Sequence, residues 1–355
     1  MSQSPKPFQD PLPLHLVTGF LGAGKTTLIN RLLRAPELAD ALVIVNELGE
    51  IGLDHLLFEA IAGEVVLLPS GCLCCSLRGD LVDCLHDLLK RRDAGALAPF
   101  SRIVLETSGL SDPAPILHAL IADAALARSI LLAGVTTLVD AVNGEATLNA
   151  HRESRRQVAL ADRIAIAKSD LLEVAERPGR LARLRASIVA INPFAPLLDG
   201  AAGEFGLEDF LREPLGVVAP DREPSEAGHA SSIRAYAFVE REPLGAPALA
   251  RFLATLSELL GPRLLRVKGL AAIAEHPDEP LLIHGAQHVF HAPRRLPSWP
   301  PGGRETRIVT IVDGIDARTM TRLGEALSGR PQIDTPDLAA LADNPLAPRR
   351  RGLLG

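Results

Sequence analysis

The feature that most constrains this chain is a glycine-rich segment near its start. GFLGAGKT (residues 19–26) fits the pattern G-x-x-x-x-G-K-[ST]. It follows the apolar run Leu14–Thr18 and precedes a helical run, Thr27–Arg34, which is the strand–loop–helix context that this motif requires. Glycines let successive backbone N–H groups surround phosphate oxygens, and the helix N-terminus adds partial positive charge. The sequence therefore predicts a phosphate-binding loop.

Two side chains of this loop have specific expected roles. Lys25 is expected to reach the β- and γ-phosphates, and the Thr26 hydroxyl is expected to bind Mg²⁺. The remaining predicted phosphate contacts are Gly19, Gly22, Ala23, Gly24 and Thr27. A glycine-rich turn without a ligand is the alternative. It is disfavoured because only five of the 37 basic residues are lysine, so a lysine at this position is a selective choice.

Seven short apolar runs alternate with helical stretches between residues 14 and 211. Because these runs are almost continuously apolar, they predict parallel strands buried on both faces of a doubly wound α/β domain. A segment rich in Pro, Gly, Glu and Ser then precedes a smaller α+β domain with a largely antiparallel sheet. The predicted divisions are a tail at 1–11, the α/β domain at 12–211, a linker at 212–231, the C-terminal domain at 232–328 and a Pro/Arg-rich tail at 329–355.

Composition narrows the functional classes. The chain has 355 residues, 47% hydrophobic and 23% charged, with a formal net charge of −6. This charge argues against an extended nucleic-acid surface. No apolar run reaches the roughly 18 to 20 residues that span a bilayer, and the N-terminus has no signal-peptide core. We expect a cytoplasmic protein with no membrane or nucleic-acid partner.

The fourth apolar run, SRIVLETSG, ends in an acidic residue, Glu106, with Gly109 three positions later. A carboxylate there can hold the Mg²⁺ shell, and the Gly109 N–H can meet the γ-phosphate so that the following loop senses hydrolysis. The alternative is a surface glutamate at a strand end. Lys25, Thr26 and Glu106 are thus the predicted catalytic groups. Leu110 cannot orient water, so the water-positioning group is not identified.

A later run ends in Ala167-Lys168-Ser169-Asp170. Apart from Ala167, this segment fits the Asn-Lys-x-Asp sequence by which GTPases recognise guanine. The Asp170 carboxylate can accept hydrogen bonds from the guanine ring N–H and exocyclic amine, and the Lys168 stem can pack on the base. Ala167 replaces the usual asparagine. This replacement is expected to affect how tightly guanine binds more than which base is bound. A small-molecule kinase is a competing interpretation, and the Lys168–Asp170 pair argues against it.

The four cysteines, Cys72, Cys74, Cys75 and Cys84, lie within thirteen residues. Clustered thiols indicate a metal or redox site rather than a disulfide framework. Cys72, Cys74 and Cys75 could supply most of a tetrahedral soft-metal site, completed by another donor such as Glu50. A redox-active dithiol and plain buried thiols are the alternatives. Cys84 is expected to be a core residue.

These motifs together resemble the CobW-type GTPase family of metal chaperones. The segments that carry the resemblance, in order along the chain, are TGFLGAGKTTLIN, VNELGEIGLD, GCLCCSLRGDL, LETSGLSDPAP, Val139–Ala141, QVALADRIAIAKSDL, LLRVKGL and HGAQHVFH. The similarity covers residues 14–327, and the Cys-x-Cys-Cys motif beside a phosphate loop is highly specific. The fold class implied is a doubly wound P-loop GTPase domain followed by a smaller α+β C-terminal domain. A His-rich stretch found in some members is absent from this sequence.

The resemblance implies a slow GTPase that uses GTP and Mg²⁺, binds Zn²⁺ or Co²⁺ through Cys72, Cys74 and Cys75, and releases the metal to a client metalloprotein. VNELGEIGLD would be its first switch, with Glu47, Glu50 and Asp54 as candidate contacts for Mg²⁺ or the transferred metal. A homodimer is possible. The competing hypothesis is a thiol-redox-sensing, nucleotide-binding interaction module.

Several basic side chains in the C-terminal part of the sequence have open roles. His284, His288 and His291 are more typical of core or surface positions than of a metal relay, since their spacing does not place them on one face of a strand. Lys268 is expected either to contact the GTPase domain or to be solvated at a strand edge. The Arg349–Arg351 run is expected to be solvated, with a weak alternative of binding an acidic partner.

Overall fold

A computed structural model describes residues 11–45, 65–67, 76–213, 232–300 and 303–327. Six residues to which the sequence assigns metal contacts lie outside these ranges: Glu47, Glu50, Asp54, Cys72, Cys74 and Cys75. Most of the predicted linker and the two predicted tails also lie outside them. No helix within the described ranges is long and apolar enough to cross a membrane.

The N-terminal domain contains all seven predicted strands. They are β1 (Leu12–Gly19), β2 (Ala41–Val45), β3 (Val65–Leu67), β4 (Arg102–Glu106), β5 (Ile130–Asp140), β6 (Arg163–Ala167) and β7 (Leu197–Asp199). They form one sheet in the order β3-β2-β4-β1-β5-β6-β7, and every pairing is parallel. The phosphate loop therefore leaves the carboxyl end of a central strand, where ligands bind in folds of this kind.

Helices cover both faces of this sheet. They are α1 (Lys25–Leu32), α2 (Ser76–Asp93), α3 (Ala114–Ala122), α4 (Leu126–Ser129), α5 (Gly144–Ala150), α6 (Arg152–Leu160), α7 (Arg177–Ile191) and α8 (Leu207–Leu211). Along β2, Leu42 and Ile44 enter a core with α2, α3, α6 and α7, whereas Val43 and Val45 enter a separate core with α1 and α8. Burial on both faces explains the uninterrupted apolar runs and confirms the doubly wound architecture.

The second domain is a six-stranded sheet with helices on one side. Its strands are β8 (Ile233–Glu240), β9 (Leu264–Ile273), β10 (His276–Ala286), β11 (Val289–Phe290), β12 (Arg294–Arg295) and β13 (Thr306–Asp313), and its helices are α9 (Ala246–Leu260) and α10 (Ala317–Leu327). The order is β11-β10-β9-β13-β8, with β12 paired to β10, and all of these pairings are antiparallel. The predicted α+β domain is confirmed.

One predicted strand is wrong in extent. The sequence pattern predicts a strand over Gln287–Ala292, but only Val289–Phe290 is a strand. Gln287 has a left-handed backbone (φ 54°), and it forms a tight turn with His288 between β10 and β11. A two-residue hairpin turn commonly needs such a positive φ, which the apolar pattern of the segment does not reveal.

The second domain packs against the first through an apolar face and a buried ionic cluster. Ile233, Leu265 and Ile311 belong to the same core as the helices of the first domain. Beside them, Arg266 Nη2 lies 2.5 Å and Lys268 Nζ 3.2 Å from Asp162 Oδ1. Lys268 is therefore buried against the N-terminal domain, and the solvated strand-edge alternative is wrong.

Candidate nucleotide-binding site

The phosphate loop is fitted closely into the carboxyl edge of the sheet. Gly24, directly before α1, has a left-handed backbone (φ 94°), which an L-residue with a side chain adopts only with strain. A Cβ at this position would lie 4.0 Å from the Cβ of Ala167, so the loop adjoins the end of β6. The sequence-predicted base-reading segment and the phosphate loop are thereby neighbours.

Lys25 lies inside the loop with its side chain only 8% exposed. Its Nζ donates hydrogen bonds to the carbonyl oxygens of Gly19 (3.0 Å) and Phe20 (3.3 Å). The ammonium is thus held at the centre of the turn that the motif predicts. A phosphate entering the loop meets a fixed positive charge there, together with the N-terminus of α1.

Thr26 and Glu106 meet across 80 residues of sequence. The Thr26 hydroxyl donates a hydrogen bond of 2.9 Å to Glu106 Oε1, and Glu106 is only 1% exposed at the end of β4. Adjacent oxygen ligands of an octahedral Mg²⁺ stand about 2.9 Å apart, because the metal–oxygen bonds are 2.0–2.1 Å. A hydroxyl and a carboxylate at this spacing, on the loop that would hold the phosphates, fit a Mg²⁺ ion. Glu106 is not the exposed strand-end glutamate of the alternative interpretation.

The Gly109 loop lies directly against the phosphate loop. A Cβ on Gly109 would stand 2.6 Å from the backbone nitrogen and 2.7 Å from the Cα of Leu21, which are distances that real Cβ atoms do not show. Only glycine therefore allows these two loops to touch. Any group that moves the Gly109 backbone acts directly on the phosphate loop, and the reverse also holds.

Gln157 on α6 holds the Gly109 loop from the opposite side. Its buried Nε2 donates to the carbonyl oxygens of Gly109 and Ser111, both at 3.0 Å. Sequence reasoning did not assign Gln157 a role, although it lies inside one of the segments that carry the resemblance. It is separated from the loop by 48 and 46 residues, and only the packing of α6 reveals the contact.

The same loop is tied to the second domain by charged side chains. Asp112 Oδ1 accepts a hydrogen bond of 2.9 Å from Ala114 N at the start of α3, and its other oxygen pairs with Arg156 on α6. Arg156 Nη2 also lies 3.5 Å from Asp313 Oδ2 at the end of β13, which Arg152 Nη2 approaches to 2.9 Å. Burial would raise the pKa of Asp313, but hydrogen bonds from Ser232 and Arg152, together with the charges of Arg152 and Arg156, outweigh it and lower that pKa.

The predicted base-reading segment is held open to solvent. Lys168 has a left-handed backbone (φ 61°), and its Nζ pairs with Asp140 Oδ2 at 3.0 Å. Asp170 is exposed, and Arg177 Nη2 donates to its backbone carbonyl (3.1 Å). Asp140, at the end of β5, was not assigned by sequence reasoning. It fixes the lysine stem along the edge where a base would lie.

The described part of the cysteine region contains only Cys84. This thiol, on α2, is half-buried against the main core, and burial raises its pKa. Its predicted assignment as a core residue agrees with this position. Across the described ranges, no group of three or more His, Cys, Asp or Glu side chains is arranged to hold a metal ion.

The three C-terminal histidines separate into two environments. Burial lowers the pKa of His284 to about 3, assisted by Lys268 and Arg266, and lowers that of His291 to about 4, assisted by Arg266. His288 instead projects from the exposed β10–β11 turn toward His118 on α3. A relay through all three histidines is therefore not formed.

Two family models match the chain. The model described as "CobW/HypB/UreG, nucleotide-binding domain" matches residues 13–198, and the "Cobalamin synthesis protein cobW C-terminal domain" matches residues 233–327. The two ranges correspond to the two sheets described above. Together they include the phosphate loop, the Gly109 loop and both ends of the ionic link to Asp313.

Similar proteins of comparable length are known. Zinc chaperone YjiA of Escherichia coli is 33% identical over 289 residues, covering 80% of this chain and 88% of that protein. Zinc chaperone CobW of Pseudomonas aeruginosa is 31% identical over 346 residues, covering 86% and 88%. The crystal structure of Zn(II)-bound YjiA GTPase from E. coli matches with a TM-score of 0.68 at 26% identity, covering 91% of this chain and 100% of that one.

Proposed function

The chain belongs to the CobW family of GTPases, and on that premise we propose that it is a zinc metallochaperone that couples GTP hydrolysis to metal transfer to a client protein. The observation that carries this proposal is the pair of contacts made by one loop. Gly109 touches the phosphate loop, and Asp112 three residues later is linked through Arg156 to the second domain. A displacement of this loop on loss of the γ-phosphate would therefore be transmitted through Asp112 and Arg156 to the second domain.

The nucleotide would lie along the edge formed by the phosphate loop and β6. Lys25 and the loop N–H groups of residues 19–27 bind phosphates, while Asp170 and Lys168 select guanine. Mg²⁺, when bound, neutralises charge on the β- and γ-phosphates, and Thr26 and Glu106 are the residues that would hold it. Their hydrogen bond of 2.9 Å supports this assignment. Glu106 on a buried strand keeps the carboxylate fixed beside the loop.

The transferred metal would be bound by Cys72, Cys74 and Cys75, with Glu50 as a candidate fourth donor and Glu47 and Asp54 nearby in sequence. Thiolates favour soft and borderline ions, so Zn²⁺ is the expected cargo and Co²⁺ an acceptable substitute. Zinc chaperones among the similar proteins, and a Zn(II)-bound structure of one of them, support this part of the proposal.

Coupling between nucleotide and metal follows from thermodynamic linkage. If GTP orders a segment that completes the metal shell, hydrolysis must weaken metal binding by the same free energy. The released ion then passes to a client metalloprotein. We infer that this occurs in the cytoplasm, with a homodimer as one source of the water-positioning group that the sequence does not identify.

We propose that the two domains extend over residues 12–211 and 232–328.

A zinc competition titration tests the metal part of the proposal. Reduced protein is titrated against a chelating dye with Mg²⁺ and either a non-hydrolysable GTP analogue or GDP. We expect zinc affinity at least about tenfold higher with the analogue, equivalent to about 1.4 kcal/mol of coupling. The triple variant Cys72→Ser/Cys74→Ser/Cys75→Ser should lose the site, whereas Cys84→Ser should keep it. A zinc stoichiometry and affinity that are independent of nucleotide and identical in the triple variant and the unmodified protein would favour the thiol-redox hypothesis instead.

Competition between GTP and ATP tests the nucleotide assignment. Asp170→Ala should remove most of the preference for guanine, because adenine lacks the N–H and amine pattern that the carboxylate accepts. Glu173→Ala, an exposed carboxylate three residues away, is the matched control. Equal affinity for ATP and GTP in the unmodified protein would contradict the guanine assignment and restore the kinase interpretation.

A further inference from the structure

Two histidines from different domains face one another at the surface between the sheets. His118 lies in the middle of α3, and His288 lies in the turn between β10 and β11. Their Nε2 atoms are 3.4 Å apart, with ring centroids at 5.0 Å and ring planes inclined by 52°. The two domains thus bring a pair of imidazole nitrogens together across 170 residues of sequence.

The distance between the two nitrogens is long for a hydrogen bond but suits a shared metal ion. Hydrogen bonds with N–H donors have donor–acceptor distances of about 2.7–3.2 Å. Two imidazole ligands of a tetrahedral Zn²⁺, with zinc–nitrogen bonds of about 2.0–2.1 Å, stand about 3.3–3.4 Å from one another. The observed separation of 3.4 Å agrees with the second arrangement.

Both imidazoles are carried by fixed backbone. The turn that holds His288 is anchored on both sides, because Gln287 N donates to Leu265 O (3.2 Å) and Ser257 Oγ donates to His288 O (2.7 Å). His118 is in the second turn of α3, and its neighbours Leu117 and Ala119 are buried. Preorganised donors of this kind lose little conformational freedom when they bind a ligand.

The pair is also accessible to a hydrated ion. His288 is exposed and His118 is half-buried, so the remaining coordination positions of a bound ion would face water. Imidazole nitrogen suits zinc, copper and nickel, whereas Mg²⁺ and Ca²⁺ prefer oxygen ligands. The ligand chemistry is therefore that of a borderline divalent transition-metal ion.

We propose that His118 and His288 form a second metal site, a two-imidazole zinc site that bridges the GTPase domain and the C-terminal domain. Two coordination positions are filled by water. The proposed site uses none of the residues of the Cys-x-Cys-Cys motif. Because α3 begins five residues after Gly109, with Asp112 capping its first turn, an ion at this site joins the helix that follows the nucleotide loop to the second domain.

The test measures zinc binding by the full chain in the Cys72→Ser/Cys74→Ser/Cys75→Ser background, with any purification tag removed because polyhistidine binds zinc. Competition with a chromophoric chelator should reveal one remaining zinc equivalent. His118→Gln or His288→Gln, each alone, should weaken that equivalent at least tenfold. His276→Gln, which replaces an exposed histidine at the start of β10, is the matched control and should leave it unchanged.

A thermal melt gives a second readout. Zinc should raise the melting temperature of the background protein and of His276→Gln, but not that of the two site variants, whose melts without zinc should match the background. If the triple-cysteine variant does not fold, the same comparison on the intact chain should show one zinc equivalent fewer in His118→Gln and His288→Gln. Zinc binding that survives either substitution would overturn the proposal. Failure of the cysteine site would not alter either comparison, because the three cysteines are absent from the triple variant and the comparison on the intact chain counts only the equivalent lost with each histidine.

Discussion

The side-chain amide of Gln157 donates a hydrogen bond of 3.0 Å to the carbonyl oxygen of Gly109. The same Nε2 donates a second hydrogen bond of 3.0 Å to Ser111. One buried side chain therefore fixes both ends of the short loop that touches the phosphate loop. This loop would move when the γ-phosphate is lost, and the hydrogen bonds of Gln157 would raise the free energy of that movement.

We expect Gln157→Met to remove the two hydrogen bonds that hold the Gly109 loop to α6, while keeping a side chain of similar volume. The substitution leaves two carbonyl groups without their donor, which costs about 1–3 kcal/mol of unfolding free energy. It should also reduce the preference for a GTP analogue over GDP several-fold, because the loop is no longer held in one position. Urea unfolding and nucleotide competition measure the two effects. Asn149→Ala, an exposed polar residue on α5, should change neither, and an unaltered nucleotide preference in Gln157→Met would contradict this role.

Gly109→Ala tests the contact between the two loops. The added Cβ would overlap the backbone of Leu21, so the loops must separate by several tenths of an ångström or more. We expect GTP hydrolysis to fall at least tenfold while the α/β fold persists. Gly79→Ala is the matched control, since a Cβ there meets nothing within 4 Å and alanine is favoured inside α2 by up to about 1 kcal/mol. If Gly109→Ala and Gly79→Ala hydrolyse GTP at equal rates, the contact between the two loops is not needed for hydrolysis.

Local patterns were sufficient to predict the sheet and the phosphate loop. Strands such as β2 are buried on both faces, so their apolar runs stand out without any knowledge of their neighbours. The loop motif is contiguous, and the observed hydrogen bonds of Lys25 Nζ to Gly19 and Phe20 span only six and five residues. The role of Glu106 could also be predicted, because an acidic residue at the end of a buried strand is unusual.

Residues that act through contacts distant in sequence were missed. Gln157, Asp140 and His118 contact their partners over 48, 28 and 170 residues, and each lies in a segment whose local pattern is fully explained by a helix or a strand end. The environment of Lys268 cannot be predicted from the sequence for the same reason. Whether a lysine in a strand is solvated or paired depends on which domain packs over it, and that is decided by the tertiary structure alone.

Asp162 should be the most sensitive charged residue at the boundary between the domains. Burial would raise the pKa of its carboxyl, but the charges of Arg266 and Lys268 outweigh it and hold that pKa well below its usual range. Asp162→Ala leaves two buried cations without their partner, and removing one member of such a group costs about 3–5 kcal/mol. Asp278→Ala breaks an exposed pair with Arg304 and should cost less than about 1 kcal/mol. Urea unfolding of both variants compares the two. Equal losses would mean that the buried cluster contributes no more than a surface ion pair.

Acid should destabilise the fold through three imidazoles whose pKa is lowered by burial. Burial lowers the pKa of His15 and His284 to about 3 and that of His291 to about 4, whereas the unfolded chain titrates near the ordinary value of 6.5. Between these limits the unfolded state binds more protons, so stability is complete above about pH 6.5 and declines as the pH falls toward 4. Each imidazole contributes up to about 1.4 kcal/mol per pH unit in this window.

Unfolding free energies at pH 7.5, 6.0 and 5.0 measure this slope. His284→Gln should make it shallower by removing one of the three groups, even where the substitution itself lowers stability at pH 7.5. His276→Gln, at an exposed position in the same domain, should leave the slope unchanged. A slope identical in the unmodified protein and His284→Gln would show that folding does not lower the pKa of His284, so that its imidazole is protonated in the folded state at pH 5.0. The imidazole would then have to share its site with Arg266 and Lys268 as a third cation, which Asp162 alone could not balance.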